Sequence, residues 1–499
     1  MERSHNRAHS DTGHVVVIGG GISGLAAAHR LLGAGLRVTL LEAGDKLGGK
    51  LMTGEIAGTG VDLGAESMLA TRPEAVDLAH AVGLGDRLQP PATTAASVWT
   101  RDALRPMPKG HVMGVPGDPA ALGDVISAEG LARIAQEREL TPTEVGDDVA
   151  VGAYVADRLG REVVDRLVDP LLGGVYAGDA YRISMRAAVP RLFEVAQEGG
   201  SLLDGVRRMQ ERSAAQPRTG PVFQGLVGGI GTLPEAVAAA VRAAGGEILT
   251  GSRVHGLTRT ATGWEVRTDD RAFAADGVVL AAPAWSASAL LAAESPTASA
   301  ELAGVEYASM ALVTLAFRRS DVAGTEALAG RSGFLVPPVD GRTIKASTFS
   351  TQKWKWVDDA APDLFVLRTS VGRYGEEEYL HREDGELVDV SLHDLAAATG
   401  LAAKPVDTVV TRWIGGLPQY PVGHLARVAR IRDEIAKLTA LRVCGAVYDG
   451  VGIPACIASA QRAADEIAHE VRGGFGAGAE EEIIATSTLV RGTGSEAGQ

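Results

Sequence analysis

The sequence has few cysteines and no long uninterrupted hydrophobic run. Its two cysteines, Cys444 and Cys456, are too few for a disulfide framework and lack the spacing of zinc ligands. The longest apolar stretches, such as residues 287–293, are broken by Ser, Gly or charge well before the roughly 20 residues that a bilayer span requires. Neither a disulfide-stapled protein nor a transmembrane helix is therefore expected.

The chain also has no recognisable targeting signal and no excess of basic residues. Residues 1–14 are polar and carry three His, so they match neither a secretory signal nor a transit peptide, and we expect a cytoplasmic protein. The 48 basic residues face 62 acidic ones, and the net charge of −14 disfavours nonspecific nucleic-acid binding. Lysine is scarce, with eight residues against 40 arginines, which is typical of a GC-rich genome.

What is present is enough for more than one folded domain. The 499 residues are about three times the usual length of a single domain, and 45% of them are hydrophobic. Residues 15–18 are a β-branched run typical of a strand buried in a parallel sheet. Residues 22–35 have helical spacing, and a second extended run follows at 38–41. This order predicts a βαβ unit.

The turn of this unit fits the dinucleotide-binding pattern G-x-G-x-x-G. In that pattern Gly19 permits the tight turn, Gly21 lets a pyrophosphate approach the backbone, and Gly24 lets helix and strand pack closely. Glu42 follows the second strand, where a carboxylate can accept both ribose hydroxyls. No Arg follows Glu42 directly, which argues against a 2′-phosphate and leaves NAD or FAD. The alternative is a glycine turn of some other α/β protein.

Past Glu42, residues 47–53 contain a second glycine turn with Gly49 and Lys50. Here the chain resembles the FAD-dependent amine oxidase and protoporphyrinogen oxidase superfamily, whose pattern is G-x-G-x-x-G, then Glu, then a GG[RK] turn. The resemblance implies FAD rather than NAD. It implies that Gly64 passes the flavin ring and that Val254 contacts the adenine side. The similar segments are residues 62–67, 228–233, 246–254 and 276–283.

Two stretches resemble porphyrinogen oxidases and differ from amine oxidases. They are residues 333–338 with the segment 347–354 after them, and Trp413 with residues 417–424. Residues 444–460 resemble the last flavin-binding segment of the same enzymes. The resemblance implies this set of cofactor-binding residues: Gly19, Gly21, Gly24, Glu42, Gly49, Lys50, Gly64, Val254, Trp413, Gly450, Val451 and Ile453.

We predict an α/β fold with a discontinuous Rossmann-like FAD-binding domain and an inserted α+β substrate-binding domain. Runs at 278–283 and 441–445 predict further strands of the nucleotide-binding sheet, and four runs between 311 and 371 predict a second sheet. The FAD-binding domain is predicted at 14–84, 221–300 and 405–472. The substrate-binding region, with a mostly helical insertion, is predicted at 85–220 and 301–404. Disordered termini are predicted at 1–13 and 473–499.

Arg72 is the predicted substrate-binding residue. It falls where the family carries a basic residue at the mouth of the site, so we assign it as an anchor for a substrate propionate. A solvated surface arginine is the alternative. Lys353 is a second candidate cation, because in related amine oxidases a lysine touches the flavin through water. We interpret His424 as structural and both cysteines as inert packing, and we expect no metal.

The resemblance implies an oxygen-dependent oxidoreductase of haem biosynthesis that removes six hydrogens from a porphyrinogen. The flavin performs this chemistry, and no side chain is required as a base. The Arg-rich composition and the lack of a membrane span favour the Gram-positive branch, so coproporphyrinogen III is the expected substrate. Protoporphyrinogen IX is the alternative, and an amine oxidase or a noncatalytic flavin scaffold are alternatives of other classes. The oligomeric state and contact with a membrane surface are left open.

Overall fold

A computed structural model of the protein describes residues 12–215 and 220–490. The predicted disordered N-terminus, 1–13, therefore lies almost entirely outside the described residues. The predicted tail, 473–499, overlaps the last helix, Ile453–Val490, and its final nine residues lie outside the described part.

A five-stranded parallel sheet forms the first layer of the fold. Its central strand contains Val15, Val16 and Val17, which are fully buried because both faces of the sheet are covered. The predicted assembly of this α/β sheet from distant parts of the chain is confirmed. In spatial order the strands are Glu247–Leu249, Arg37–Leu41, His14–Ile18, Gly277–Leu280 and Leu441–Val443.

Helices and a small sheet cover the two faces of the parallel sheet. One face packs against the helices Ile22–Gly33, Glu74–Ala81, Thr232–Ala243 and Ile453–Val490. The other face packs against the antiparallel strands Val254–Thr260, Gly263–Thr268 and Ala272–Ala275 and the helices Ala284–Leu291, Pro296–Ala303 and His424–Ile435. On this second face the buried Trp264 indole donates to Thr439 O at 2.9 Å.

A seven-stranded sheet forms the second layer. All neighbouring strands are antiparallel except one parallel pair, Gly333–Leu335 with Ala96–Thr100. The helix Asp384–Thr399 covers one face, over a core that includes Phe334, Phe349 and Leu367. The order is Asp407–Pro418, Tyr307–Arg318, Leu364–Val371, Ile344–Thr348, Gly333–Leu335, Ala96–Thr100 and Ala103–Pro106.

A group of helices between residues 128 and 215 packs around a core of its own. This core contains a buried ion pair, in which Arg158 Nη2 lies 2.6 Å from a Glu137 carboxylate oxygen. The helices are Ala128–Ala135, Val151–Leu159, Arg161–Val163, Val164–Val168 in the π form, Asp169–Tyr176, Met185–Ala188, Pro190–Gln197 and Leu202–Ala215.

Short elements connect these layers. The two-stranded pairs are Thr53–Ile56 with Thr59–Asp62, and His111–Val112 with Val115–Pro116. A three-stranded sheet contains Met68–Leu69, Phe223–Leu226 and Leu88–Gln89. The remaining short helices are Gly85–Arg87, Pro119–Val125, Glu137–Glu139, Arg319–Val322, Glu326–Leu328, Pro338–Asp340, Ser350–Lys353, Lys355–Ala360, Glu377–His381 and Ala446–Asp449.

The strand Asp407–Pro418 lies within the segment 405–472, which the sequence assigns to the FAD-binding domain. In the structure it pairs with Tyr307–Arg318 along almost its whole length, and it forms an edge of the second sheet. The chain therefore returns to the first layer only after Pro418, and the rest of the predicted domain division stays a prediction. Across residues 12–215 and 220–490, no helix combines the length and hydropathy needed to cross a membrane.

Candidate functional site

The three motif glycines of the first turn have different surroundings. Gly19 has a φ of 111°, and a Cβ there would lie 2.6 Å from Ala281 O. A Cβ on Gly24 would lie 1.8 Å from Gly19 O, so the helix packs on the turn with no room for a side chain. A Cβ on Gly21 would have no neighbouring atom within 4 Å. The open side of the turn is therefore at Gly21, where the motif predicts that a pyrophosphate approaches the backbone.

Two helices begin beside this open space. The helix Ile22–Gly33 has neither a side-chain cap nor an acidic residue in its first turn, so its N–H groups and its positive dipole end are available to an anion. The helix Ile453–Val490 also has no acidic residue in its first turn. Its Cys456 thiol lies against Ser23 of the first helix. The first turns of the two helices are therefore neighbours, and an anionic group placed at Gly21 would meet the N-terminus of the first helix.

Glu42 is held by backbone N–H groups. Its carboxylate accepts hydrogen bonds from Gly20 at 2.6 Å and from Gly44 at 2.7 Å. The Glu42 carbonyl accepts from the Ser252 N–H at 2.8 Å, which brings the chain just before Val254 to the same edge of the sheet. The predicted ribose-binding and adenine-side residues are thus close together, and each carboxylate oxygen keeps capacity for a further hydrogen bond.

The second glycine turn packs on the first. The Gly48 N–H donates to Gly20 O at 2.9 Å, and a Cβ on Gly49 would lie 3.4 Å from Gly21 Cα. Lys50 follows directly and lies close enough to Cys456 for the two groups to interact electrostatically. Desolvation lowers the pKa of Lys50, although the residue as a whole is exposed. The turn therefore places a cation beside the open side of Gly21.

Gly64 lies where the second sheet meets this cleft. A Cβ on Gly64 would lie 2.1 Å from Lys50 O and 3.1 Å from the Trp413 ring. The Trp413 indole N–H donates to Leu63 O at 2.9 Å, and Arg368 donates to Gly64 O at 2.7 Å. Two strands of the second sheet thus fix the segment that is predicted to pass the flavin ring.

The same segment carries a buried carboxylate, Glu66, between two cations. Lys353 Nζ lies 2.5 Å from one carboxylate oxygen, and Arg368 Nη2 lies 3.1 Å from the other. Burial opposes ionisation of Glu66, but the charges of Arg368 and Lys353 hold its pKa below the ordinary value. Lys353, the second candidate cation of the sequence analysis, is therefore bound to Glu66.

Asp62 is a second buried carboxyl of this segment, and it lies beside the Gly228–Gly231 turn. It accepts a hydrogen bond from the Gly231 N–H at 3.3 Å. Burial raises the pKa of Asp62 to about 7, against the lowering effect of that backbone contact and of Arg368. The two carboxyls of one short segment thus have pKa values shifted in opposite directions.

The predicted C-terminal cofactor residues form the turn before the helix Ile453–Val490. Gly450 has a φ of 133°, and Cys456 Sγ lies 3.6 Å from Gly450 O. Val451 packs against the core of the helical region, whereas Ile453 packs against the core of the parallel sheet. This turn therefore connects two cores at the edge of the cleft.

Comparison with known proteins gives the family. A model of the flavin-containing amine oxidoreductases matches residues 22–468. The chain belongs to this family. The coproporphyrinogen III oxidase of Mycobacterium tuberculosis is 37% identical over 462 residues, which cover 90% of this chain and 96% of that protein. The crystal structure of a candidate protoporphyrinogen oxidase from Exiguobacterium sp. 255-15 has a TM-score of 0.81 at 33% identity, and the match covers 92% of this chain and 99% of that one.

An amine oxidase of the family is more distant. Cyclohexylamine oxidase from Brevibacterium oxydans IH-35A has a TM-score of 0.67 at 20% identity over 92% of this chain and 99% of its own, so that likeness shows the fold alone. The predicted relation to the protoporphyrinogen and coproporphyrinogen oxidases is confirmed, and with it an oxidoreductase that uses a flavin.

The cleft of this flavin oxidoreductase has the features that a flavin nucleotide needs. Gly21 leaves its backbone open, two helix starts and Lys50 supply positive charge, and Glu42 supplies a carboxylate at the far end. Gly64 lets the segment pack between the Lys50 carbonyl and the Trp413 ring, where a side chain would not fit. The residues present therefore fit the group that the family binds.

Arg72 has a partner inside the protein. Its guanidinium lies 2.7 Å from a Glu74 carboxylate oxygen, and its side chain is 43% exposed. It is near enough to Cys456 for its charge to act on that thiol. A substrate carboxylate would have to share Arg72 with Glu74, and the role of Arg72 as an anchor stays a prediction.

His424 and the two cysteines are buried. His424 stacks on Tyr420 with ring centroids 4.0 Å apart, and burial lowers its pKa to about 4, so the imidazole is neutral near pH 7. Burial raises the pKa of Cys444 and also raises that of Cys456 to about 11. These environments support structural roles, because none supplies a charged or nucleophilic form.

Sequence reasoning missed two cations on the second sheet, Arg368 and Lys345. Arg368 reaches the segment 62–66, as described above. Lys345 lies on the strand Ile344–Thr348 and is 6% exposed. A lysine in a strand gives no sequence signal of burial, because the same residue type is ordinarily solvated.

Proposed function

We propose that this protein is an FAD-dependent oxidase that converts coproporphyrinogen III to coproporphyrin III in haem biosynthesis, with dioxygen as the electron acceptor. The observation that carries the proposal is the extent of the likeness: a relative named coproporphyrinogen III oxidase matches 90% of the chain, across both sheets. The contact between Trp413 and the Gly64 segment supports it, because that contact joins the two sheets at the cleft.

FAD is proposed because both ends of the cleft have residues for it. The pyrophosphate would lie at Gly21 between the two helix starts, with Lys50 beside it. The ribose and adenine would lie at Glu42 and Val254. A shorter flavin without the adenylate part would leave that edge of the sheet without a ligand.

The chemistry that a bound flavin supplies is two-electron oxidation with reoxidation by dioxygen. Removal of six hydrogens from a porphyrinogen balances with the reduction of three dioxygen molecules to three molecules of hydrogen peroxide. The chain supplies the slot for the macrocycle. Trp413, Met310 and Leu312 share one face of the second sheet and give this slot an apolar wall.

Protoporphyrinogen IX is the second candidate substrate, and the Exiguobacterium structure favours it by its assignment. Both porphyrinogens offer the same ring to the cleft and differ in the number of rim carboxylates.

The cytoplasm is the proposed compartment, and the two cysteines, which are free and buried, support a reducing environment.

The test is a fluorescence assay of porphyrin formation with both porphyrinogens side by side, with hydrogen peroxide measured in parallel. We expect porphyrin from both substrates, a higher kcat/KM for coproporphyrinogen III, and three peroxides for each porphyrin. Oxidation of amines with no porphyrin formed would replace the proposal with an amine oxidase. A flavin that stays oxidised in anaerobic mixtures with either porphyrinogen would indicate a noncatalytic scaffold.

A further inference from the structure

Lys345 is a buried lysine of the second sheet. It lies at a β-bulge, between Ile344 and Ala346 in the strand Ile344–Thr348. The side-chain contact of its ammonium group among the described residues is Met310 Sδ, at 3.9 Å. No carboxylate of those residues lies within 4.0 Å of it.

Three lysines of the described chain that do have carboxylate partners give a comparison for Lys345. Lys353, Lys355 and Lys437 each have a carboxylate oxygen within 2.6 Å, and the latter two are largely exposed. Lys345 is more buried than any of these three. Burial of an ammonium group without a counter-charge is unfavourable, so its retention at this position needs a reason.

The register of the sheet shows which way Lys345 points. Met310 is directly opposite Trp413, and Ser370 is directly opposite Ala346 and Leu312; directly opposed residues share a face of a sheet. The contact with Met310 places the ammonium group on this same face. Trp413 binds Leu63 O, so the face is turned toward the segment that lines the cofactor cleft.

A helix packs against the strand that carries Lys345. The helix Asp169–Tyr176 packs on the strands Ile344–Thr348 and Gly333–Leu335. Val175 of this helix is 45% exposed and Met310 of the sheet is only partly buried, so solvent reaches a side chain of each element.

The charged groups near Lys345 in the described part of the chain do not supply it with a counter-ion of its own. Arg373 adds a second positive charge nearby, and Glu376, whose charge also acts on Lys345, is already paired with Arg373 at 3.3 Å. Desolvation, with Arg373 adding to it, lowers the pKa of Lys345 to about 7. A carboxylate brought against Lys345 would restore the charged form.

We infer that Lys345 binds a rim carboxylate of the substrate, as the cation that orients the macrocycle between the second sheet and the helix Asp169–Tyr176. The inference rests on the proposed function and deepens it, because it names the group that binds a propionate of the substrate. Lys345 acts in positioning, and no proton transfer to the ring is assigned to it.

The test is binding of the reaction product to the flavin-loaded enzyme. Coproporphyrin III and its tetramethyl ester are titrated by fluorescence into wild type and Lys345→Met, with Lys404→Met as the control for loss of an exposed lysine. Met keeps the unbranched apolar stem and removes only the charge. Flavin content and the thermal midpoint show whether each variant is folded.

We expect Lys345→Met to bind the free acid roughly 10- to 100-fold more weakly, as expected for loss of a hydrogen bond between charged groups, and to bind the ester like wild type. Lys404→Met should match wild type with both ligands. Unchanged affinity for the acid, or equal losses for acid and ester, would overturn the inference while leaving the proposed function intact. A wild type that binds neither porphyrin and oxidises no porphyrinogen would overturn both.

Discussion

The two sheets of this protein present different parts of the chain to the proposed ligands. At the parallel sheet the surface proposed to face the cofactor is backbone, with Gly21 open and Gly19 and Gly24 packed tightly around the same turn. At the seven-stranded sheet it is side chain, with Met310, Lys345 and Trp413 brought together from three separate strands.

Because of this difference, the two sheets should tolerate different amino-acid substitutions. A backbone surface needs glycine at fixed spacing, because a Cβ would occupy the place of the ligand or of a neighbouring strand. A side-chain surface needs charge and volume at positions that pairing brings together, and its residue types can change with the substrate. The parallel sheet should therefore fail by steric conflict, and the second sheet by loss of a specific contact.

The largest effect is expected for Gly24→Ala. Its Cβ would lie 1.8 Å from Gly19 O, a backbone atom that cannot move without displacing the turn. We expect a loss of more than about 3 kcal/mol in the free energy of unfolding, or no folded protein. Gly33→Ala is the matched control in the same helix, because a Cβ there meets no atom within 4 Å. Equal denaturation midpoints for the two variants would contradict the packing account.

Gly21→Val should separate folding from cofactor binding. The site of its side chain is open and its φ is −70°, so valine fits the protein but fills the space assigned to the pyrophosphate. We expect a folded protein with almost no flavin absorbance per chain. Glu42→Ala should retain flavin with an affinity weaker by about 1.5–3 kcal/mol, since it removes hydrogen bonds to a charged group. A Gly21→Val protein that still binds flavin would show that the pyrophosphate does not lie at this turn.

The pKa of Asp62 predicts a pH dependence at the junction of the two sheets. A folded-state pKa of about 7, above the ordinary 3.8, means that the contribution of Asp62 to stability is present below pH 3.8 and lost as the pH rises through 7. Asp62→Asn should therefore equal wild type near pH 4 and be more stable at pH 8, by roughly 2–4 kcal/mol for a shift of about three pKa units. Thermal midpoints measured across this range test it, and parallel curves for the two proteins would show that Asp62 is not the titrating group.

The same contrast explains how far the sequence predicts the structure. The strands 15–18, 278–283 and 441–445 are visible as apolar runs, and the glycine turns are visible because their spacing is local. The Glu66–Arg368 pair joins residues far apart in the chain, and ion pairs at such separation have no sequence pattern. The burial of Lys345 depends on a bulge and on a helix packed over it, so it requires the tertiary structure.

The position of residues 407–418 has a similar cause. The sequence analysis assigns them to the FAD-binding domain, as part of the segment 405–472, but they form an edge strand of the second sheet. Their pairing with Tyr307–Arg318 is a contact across about 100 residues, set by register and not by local composition. Local sequence patterns thus predict the strands and turns of the parallel sheet, whereas the pairing of distant strands in the second sheet requires the tertiary structure.

The smallest effect is expected for Arg72, the residue that the sequence analysis predicts as the anchor for a substrate propionate. Its guanidinium is bound to Glu74 and 43% exposed, so a propionate would gain a shared and partly screened partner. Arg72→Ala should raise KM for coproporphyrinogen III by less than about fivefold, which corresponds to roughly 1 kcal/mol, with flavin content unchanged. The penalty should shrink further in high salt, and Arg72→Lys should recover part of it.

Measured beside Lys345→Met under the same conditions, Arg72→Ala should be the milder variant, because Lys345 is buried and lacks a carboxylate partner among the described residues. A larger KM increase for Arg72→Ala than for Lys345→Met would place the main carboxylate anchor at the mouth of the cleft, on the cofactor side, and would make the side chains of the second sheet secondary in substrate binding.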